Sequence, residues 1–193
     1  MNYFVLTGGW VLYFTLHSVM ASEGVKERVR HGLGSGYRFY RLFYSAVSTM
    51  GLVVLLMINA NLKTAYFFES EGIIRYLSLM LTTFGVMTIQ LAFRQYRLKS
   101  FLGFAPEQRS LRREGILKLV RHPIYSGLIL TTIGFFLFIP NLATLITCAC
   151  ILAYLPVGIY LEEKKMIGYF GQVYLDYRRE VPALIPHWRQ LRS

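Results

Sequence analysis

The sequence lacks the cysteine content of a disulfide-bonded or metal-clustered protein. It has only two cysteines, Cys148 and Cys150, two positions apart within one apolar run. On a helix this spacing directs them to different faces, so neither a disulfide nor a metal pair is predicted. No Pro- or Ser-rich linker and no internal repeat divides the chain. We therefore expect one domain over 1–193.

A complete nucleotide-binding glycine fingerprint is also missing. The stretch GLGSG at 32–36 follows no strand pattern, and Tyr37 stands where a dinucleotide fingerprint requires its last glycine. A flexible loop is the simpler interpretation. No short apolar segment with a small-residue cleavage site precedes the first apolar run, which we expect to be retained as a helix.

Apolar residues are abundant instead. They make up 54 % of the chain and the mean hydropathy is +0.42, more than a soluble core of this size needs. Four apolar stretches carry the excess: 3–20, 42–60, 73–93 and 125–161. Because about 20 helical residues cross a bilayer, the last stretch is long enough for two crossings, separated at Pro140 and Asn141. The prediction is an all-α, polytopic integral membrane protein with five transmembrane helices, three in 1–93 and a helical hairpin in 94–193.

The basic residues suggest an orientation. Lys and Arg number 21 against 10 Asp and Glu. They collect between helices 1 and 2, between helices 3 and 4, and in the C-terminal tail: Lys26, Arg28, Arg30, Arg38, Arg41; Arg94, Arg97, Lys99, Arg109, Arg112, Arg113, Lys118, Arg121; Lys164, Lys165, Arg178, Arg179, Arg189, Arg192. Cytoplasmic loops favour basic residues, so the N-terminus is predicted outside and the C-terminus in the cytoplasm. The net charge then favours anionic lipid over nucleic acid as a partner.

The segment after the last span has the pattern of an amphipathic helix. Apolar and aromatic side chains recur at helical spacing: Met166, Phe170, Val173, Tyr174, Tyr177. Basic residues fall on other faces: Lys164, Lys165, Arg178, Arg179. We predict a cytoplasmic surface helix, continuous with the last span and ended by Pro182.

Charged residues at the ends of the hairpin predict a ligand site. Glu162 and Glu163 stand near the membrane interface, where carboxylates are paired or functional. Arg121 and His122 precede Pro123, which suits the first position of helix 4, and the free amides of a helix N-terminus attract anions. The hairpin brings these groups together, so a ligand carrying both signs would fit. The alternative is structural: an ion pair of the Glu pair with Arg121 or Lys118, and an ordinary loop role for His122.

These residues carry a resemblance to a known family. LRREGILKLVRHPIYSG at 111–127 and LEEKKMIGYFGQVYLDYRREVPALIP at 161–186 resemble membrane-embedded methyltransferases related to isoprenylcysteine carboxyl methyltransferase and phospholipid methyltransferases. LHSVMASEGVKERV at 16–29 and YRLFYS at 40–45 are similar to the bacterial branch of NnrU-type proteins and methanethiol S-methyltransferase.

The resemblance implies an S-adenosylmethionine-dependent methyltransferase, with its cofactor pocket facing the cytoplasm from a bacterial inner membrane. The implied cofactor-binding residues are Leu111, Gly115, His122, Tyr125 and Glu162. In this scheme His122 takes the cofactor carboxylate, Glu162 takes the ammonium and the segment 111–115 holds the adenine.

Arg121 and Glu163 are the implied catalytic residues, Arg121 favouring a thiolate or orienting a carboxylate, and His17 is a second candidate for that role. No metal is expected. The acceptor is a small or lipophilic thiol, carboxylate or lipid, with membrane lipids as further partners.

Two departures from the family pattern stand out. Isoprenylcysteine enzymes often carry an arginine in the turn before the Glu pair, where this chain has Gly158 to Leu161, so a prenylcysteine acceptor is disfavoured. A tyrosine common two residues after the upstream glycine is replaced by Leu117, which changes the expected adenine pocket. Two alternatives remain: an NADPH-dependent reductase of the sterol-reductase type, with its phosphates held by the basic loop 94–113, and a non-enzymatic lipid-binding accessory protein.

Overall fold

The computed structural model describes residues 2–95 and 111–187. Within these residues it has seven α-helices and no strand: α1 (Asn2–Ala21), α2 (Glu23–Leu33), α3 (Tyr37–Asn61), α4 (Gly72–Gln95), α5 (Pro123–Phe138), α6 (Leu142–Phe170) and α7 (Gln172–Glu180). Two short 3-10 turns cover Gly34–Gly36 and Gly115–Lys118. The all-α prediction is confirmed for the described part of the chain. The predicted basic residues Arg97, Lys99, Arg109, Arg189 and Arg192 lie outside it.

Four helices, α1, α3, α4 and α6, are long and apolar enough to cross a membrane. This confirms an integral membrane protein with several spans. Helix α5 is apolar but has only 16 residues. At about 1.5 Å per residue it reaches about 24 Å, less than the hydrocarbon thickness of about 30 Å. The fifth crossing and the orientation of the termini stay predictions.

Helices α5 and α6 are separated where the sequence predicted. Pro140 cannot donate a backbone hydrogen bond, and the side-chain oxygen of Asn141 accepts from the Thr144 amide at 2.9 Å, which caps the start of α6. The start of α5 lies against the C-terminal half of α6, where Tyr125 approaches Gly158. These two segments therefore run antiparallel, as expected of a hairpin.

Three local predictions were wrong. Residues 23–33, expected within a loop, form α2, because Ser22 caps its start and accepts a hydrogen bond from Val25 at 3.5 Å. The predicted flexible loop at 32–36 is the end of this helix and one 3-10 turn. The C-terminal helix is not continuous with the last span: Gly171, at φ +53°, breaks it before α7 begins. Glycine tolerates this backbone conformation without steric penalty.

The described residues cluster in two compact units. The first comprises 2–69 and 140–154, and the second comprises 70–95, 111–139 and 155–187. Helix α6 contributes residues to both. The prediction of a single domain over 1–193 stays a prediction.

A chain of buried polar side chains joins three helices of the first unit. The Trp10 indole of α1 donates to the Thr147 hydroxyl of α6 at 3.1 Å, and Thr147 donates to the side-chain carbonyl of Asn59, in α3, at 3.0 Å. The Asn59 amide donates in turn to Thr144 at 3.4 Å. All four side chains belong to buried residues. In an apolar surrounding each unmade hydrogen bond is unfavourable, so the chain holds the helices in one register.

Replacing Asn59 by leucine should lower stability, because Thr147 loses its acceptor and Thr144 its donor. We expect a loss of about 1–2 kcal/mol in the free energy of unfolding, measured in detergent by thermal or denaturant unfolding. Asn61→Leu is the matched control, since Asn61 is exposed on the same helix and its side-chain amide donates to the Met57 carbonyl within that helix. Equal stability of the two variants would contradict the role of the buried chain.

The second unit packs α4 on α5 through glycines. A Cβ on Gly127 would lie 2.5 Å from the Gly85 carbonyl oxygen, and one on Gly134 would lie 2.7 Å from the Ser78 carbonyl oxygen. No real Cβ approaches a backbone oxygen this closely, so the two backbones touch directly. Small residues at such contacts are how membrane helices gain close packing. This fixes the position of α5, whose first turn carries the candidate site.

The substitution Gly127→Ala should push α4 and α5 apart, because the new methyl group meets backbone rather than a flexible side chain. We expect destabilisation by about 1–3 kcal/mol, read as a lower melting temperature in detergent. Gly8→Ala serves as the control, since nothing lies within 4 Å of a Cβ at Gly8. A melting temperature unchanged in both variants would contradict the close approach.

Candidate functional site

The segment before α5 is held by the C-terminal residues of the same unit. The backbone N–H groups of Arg121 and His122 donate to the carbonyls of Pro182 at 2.9 Å and Ala183 at 3.0 Å. The Ser126 hydroxyl donates to the Leu184 carbonyl at 2.6 Å. Residues 182–184 therefore cover the start of α5. The backbone amide of His122, which precedes the first turn of α5, is used within the protein.

A tyrosine cluster supports this arrangement from α7. Tyr174, Tyr177 and Val181 are buried together, and Leu111 packs against them. The Tyr177 hydroxyl donates to the Leu117 carbonyl at 2.6 Å. Burial raises the pKa of Tyr177 to about 12, so the hydroxyl stays protonated at neutral pH and keeps this hydrogen bond. The 3-10 turn Gly115–Lys118 is thereby attached to α7.

The centre of the site is the carboxylate of Glu163, on α6. Arg121 donates to its Oε1 from Nη2 at 2.6 Å and from Nε at 3.2 Å. Arg178 of α7 lies 3.2 Å from the second oxygen, Oε2, through its Nε. Glu163 is only 8 % exposed, and both oxygens of its carboxylate are paired with guanidinium groups in a compact cluster.

Arg121 uses most of its donors inside this cluster. Besides Glu163, its Nη1 donates to the carbonyls of Arg178, at 2.9 Å, and of Val181. Four of the five N–H groups of a guanidinium are thus committed to the protein. The structural alternative considered for the Glu pair, an ion pair with Arg121, is present for Glu163. The prediction that Arg121 favours a thiolate stays a prediction.

His122 lies between the two glutamates. Its Nε2 is 3.2 Å from Glu163 Oε1, and its Nδ1 is 3.5 Å from Glu162 Oε2. The second contact does not have hydrogen-bond geometry: among the described residues, the buried Nδ1 has no hydrogen-bond partner. The Glu162 side chain is 32 % exposed, whereas that of His122 is 2 % exposed. Glu162 is therefore the solvent-facing member of this group.

Tyr125 completes one wall of the site. Its ring meets the His122 ring edge-on, with centroids 5.7 Å apart. Its hydroxyl lies where a Cβ on Gly158 would come within 3.0 Å, one helical turn before Glu162. Tyr125 therefore fills the space that any larger residue at 158 would need.

Five of the seven predicted site residues come together: Arg121, His122, Tyr125, Glu162 and Glu163. Leu111 and Gly115 belong to the same unit but lie on the tyrosine-cluster side. Within residues 2–95 and 111–187, no hydrogen bond or ion pair joins either of them to the glutamates. His17 lies in the other unit, 3.3 Å from the Ser48 hydroxyl and 3.1 Å from that of Tyr44. Its proposed role stays a prediction.

Sequence reasoning missed Arg178. The helical pattern placed Arg178 on a face of the C-terminal helix away from the apolar positions. The break at Gly171 turns α7 so that the Arg178 guanidinium reaches Glu163. Spacing along a continuous helix carries no signal of such a turn. Among residues 2–95 and 111–187, no three His, Cys, Asp or Glu side chains are arranged to hold a metal ion.

Removing the Arg121 guanidinium should destabilise the site strongly. With Arg121→Leu, the buried Glu163 loses the closest of its charged partners among the described residues, and the carbonyls of Arg178 and Val181 lose a donor. We expect a loss of about 3–5 kcal/mol and faster amide hydrogen exchange at residues 121–122. Arg179→Leu, on the same helix as Arg178 but 77 % exposed, should change stability by less than about 1 kcal/mol. Similar losses in both variants would show that the buried cluster is not stabilising.

Comparison with known proteins identifies relatives over most of the chain. The sequence model of the NnrU protein family matches residues 5–186. A methanethiol S-methyltransferase of a Pseudomonas species is 30 % identical over 140 residues, covering 69 % of this chain and 48 % of that protein. A second, from Pseudomonas deceptionensis, is 24 % identical over 196 residues, covering 93 % and 71 %.

A more distant likeness extends to plants. Protein-S-isoprenylcysteine O-methyltransferase B of Arabidopsis thaliana is 30 % identical over 81 residues, covering 42 % of this chain and 41 % of that protein. The chain thus spans about half the length of the first Pseudomonas methyltransferase. No solved structure matches it.

Proposed function

Because the chain belongs to the NnrU family, we propose that it is a membrane methyltransferase that takes its methyl group from S-adenosylmethionine. The names of the relatives support the reaction class. The acceptor we propose is a small or lipophilic thiol, with a carboxylate or lipid as the remaining classes. The site would face the cytoplasm of a bacterial inner membrane, in a single integral membrane domain with five crossings.

The observation that carries the proposal is the pair formed by His122 and Glu162. A solvent-facing carboxylate lies 3.5 Å from a buried ring nitrogen that has no hydrogen-bond partner among the described residues. Buried polar atoms are nearly always paired, so this arrangement fits a ligand that donates hydrogen bonds to both groups. The amino-acid end of S-adenosylmethionine carries an ammonium group, which matches the charge of Glu162.

The residues we assign to the cofactor are Glu162, His122 and Tyr125 at its amino-acid end. Leu111 and Gly115, on the tyrosine-cluster side, are assigned to its nucleoside end. When bound, S-adenosylmethionine supplies an electrophilic methyl group on a positively charged sulfur.

The reaction itself demands little of the protein. In transfer to a thiol, the bond from the methyl carbon to the sulfonium sulfur breaks while a bond to the acceptor sulfur forms, and the thiol proton goes to solvent. Most of the rate then comes from holding the acceptor sulfur in line with the methyl group. Arg121 and Glu163 contribute to this by holding His122 and the segment before α5 in place.

The space around Gly158 supports a small acceptor over a prenylcysteine. In the turn where related isoprenylcysteine enzymes often carry an arginine, this chain has Gly158 to Leu161, and the Tyr125 hydroxyl occupies the space next to Gly158. An arginine at position 158 would displace Tyr125. A thiol of the kind named for the Pseudomonas relatives needs no such partner.

The proposal predicts saturable binding of S-adenosylhomocysteine to the detergent-purified full chain, measured by titration calorimetry. Glu162→Gln should weaken this binding tenfold to about a hundredfold, since a charge-assisted hydrogen bond contributes about 1.5–3 kcal/mol. Glu71→Gln, an exposed carboxylate of the same unit, should leave the affinity unchanged.

NADPH titrated alongside separates the alternatives. Binding of NADPH without binding of S-adenosylhomocysteine would favour a reductase, whose predicted phosphate-binding loop lies largely in 96–110, outside the described residues. Binding of neither ligand by folded protein would favour the lipid-binding accessory protein. If S-adenosylhomocysteine binds, transfer of a labelled methyl group to a panel of thiols, carboxylates and lipids identifies the acceptor class.

A further inference from the structure

The tautomer of His122 follows from its hydrogen-bond partner, the carboxylate of Glu163. An ionised carboxylate only accepts hydrogen bonds, and Glu163 is in contact with the guanidinium groups of both Arg121 and Arg178, which favour its ionised form. The His122 Nε2, 3.2 Å from Glu163 Oε1, must therefore carry the hydrogen. In the neutral ring this leaves Nδ1 as a hydrogen-bond acceptor.

Nδ1 then faces a second acceptor. Glu162 Oε2 lies 3.5 Å away and makes no hydrogen bond to it. Two acceptors placed side by side are satisfied together by one group that has several donors. A primary ammonium has three N–H donors and a positive charge, so it matches a ring nitrogen and a carboxylate at this spacing.

We infer that Glu163, held by Arg121 and Arg178, is a positioning residue that fixes His122 as the Nε2–H tautomer, so that His122 Nδ1 and Glu162 together bind the ammonium group of the ligand. The inference rests on the proposed function for the identity of the ligand. It reassigns His122, which the resemblance had paired with the cofactor carboxylate. It also gives Arg178 a part in the site.

The two glutamates differ in exposure. The His122 Nδ1 is buried, whereas the Glu162 side chain is 32 % exposed. Both oxygens of Glu163 are bound by guanidinium groups. A ligand from solvent therefore meets this pair on the side of Glu162, and Glu163 keeps the ring in place.

The first arm of the test is spectroscopic. Nitrogen NMR of imidazole-labelled full-length protein in lipid nanodiscs reports the tautomer of each of the four histidines, and the signal missing in His122→Asn assigns His122. We expect the Nε2–H form in the wild-type protein. Glu163→Gln should retain it, since the amide oxygen still accepts, whereas Glu163→Met should give a mixture. An Nδ1–H tautomer in the wild-type protein would overturn the inference, whatever the stability of the Glu163 variants.

The second arm uses truncated ligands. Calorimetric affinities are compared for S-adenosylhomocysteine, its analogue without the α-amino group and its analogue without the carboxylate. In the wild-type protein we expect loss of the amino group to weaken binding at least tenfold. In His122→Asn and Glu162→Gln this penalty should shrink several-fold, while the penalty for losing the carboxylate stays the same.

The outcomes are distinguishable. If the carboxylate penalty, rather than the amino penalty, shrinks in His122→Asn, then His122 binds the carboxylate and the inference is wrong. If S-adenosylhomocysteine does not bind the folded wild-type protein at all, the proposed function fails and the ligand part of the inference fails with it. The spectroscopic arm still decides whether Glu163 sets the tautomer.

Discussion

The arrangement of the site depends on one buried charge, the carboxylate of Glu163. A carboxylate that is 8 % exposed is stable only when its charge is balanced and its oxygens are hydrogen-bonded. Arg121 from the segment before α5 and Arg178 from α7 supply that balance, and His122 adds a third donor. A single side chain of α6 thus ties together three segments that are distant in sequence.

The membrane-spanning helices meet a different constraint, which is to gain specificity without a hydrophobic driving force between them. The two units solve it differently. In the first, Trp10, Asn59 and Thr147 link three helices by hydrogen bonds. In the second, Gly127 lets α5 touch the backbone of α4. Since α5 begins directly after His122, its close packing also limits how far the candidate site can deform.

These constraints divide the glutamate pair into two roles. The carboxylate of Glu163 is bound by Arg121, Arg178 and His122 within the protein. The side chain of Glu162, one residue earlier on the same helix, is partly exposed to solvent. Between them His122 uses one ring nitrogen for the structure and keeps the other. This division favours a ligand with a positively charged donor at that point. The proposed methyl donor has such a group, and the relatives named as methyltransferases support that choice.

Much of this protein could be predicted from its sequence, because the deciding patterns are local. Apolar length marked the spanning helices, Pro140 and Asn141 marked the hairpin break, and the spacing of Arg121, His122 and Tyr125 with the two glutamates predicted one cluster. Other features are decided by contacts between distant residues or by one backbone angle. The turn at Gly171 reoriented α7 and brought Arg178 to Glu163, and the segment 182–184 took the backbone donors before α5. A linear pattern lists the groups that carry charge, whereas only the tertiary structure decides which of them neutralise one another and which remain open to a ligand.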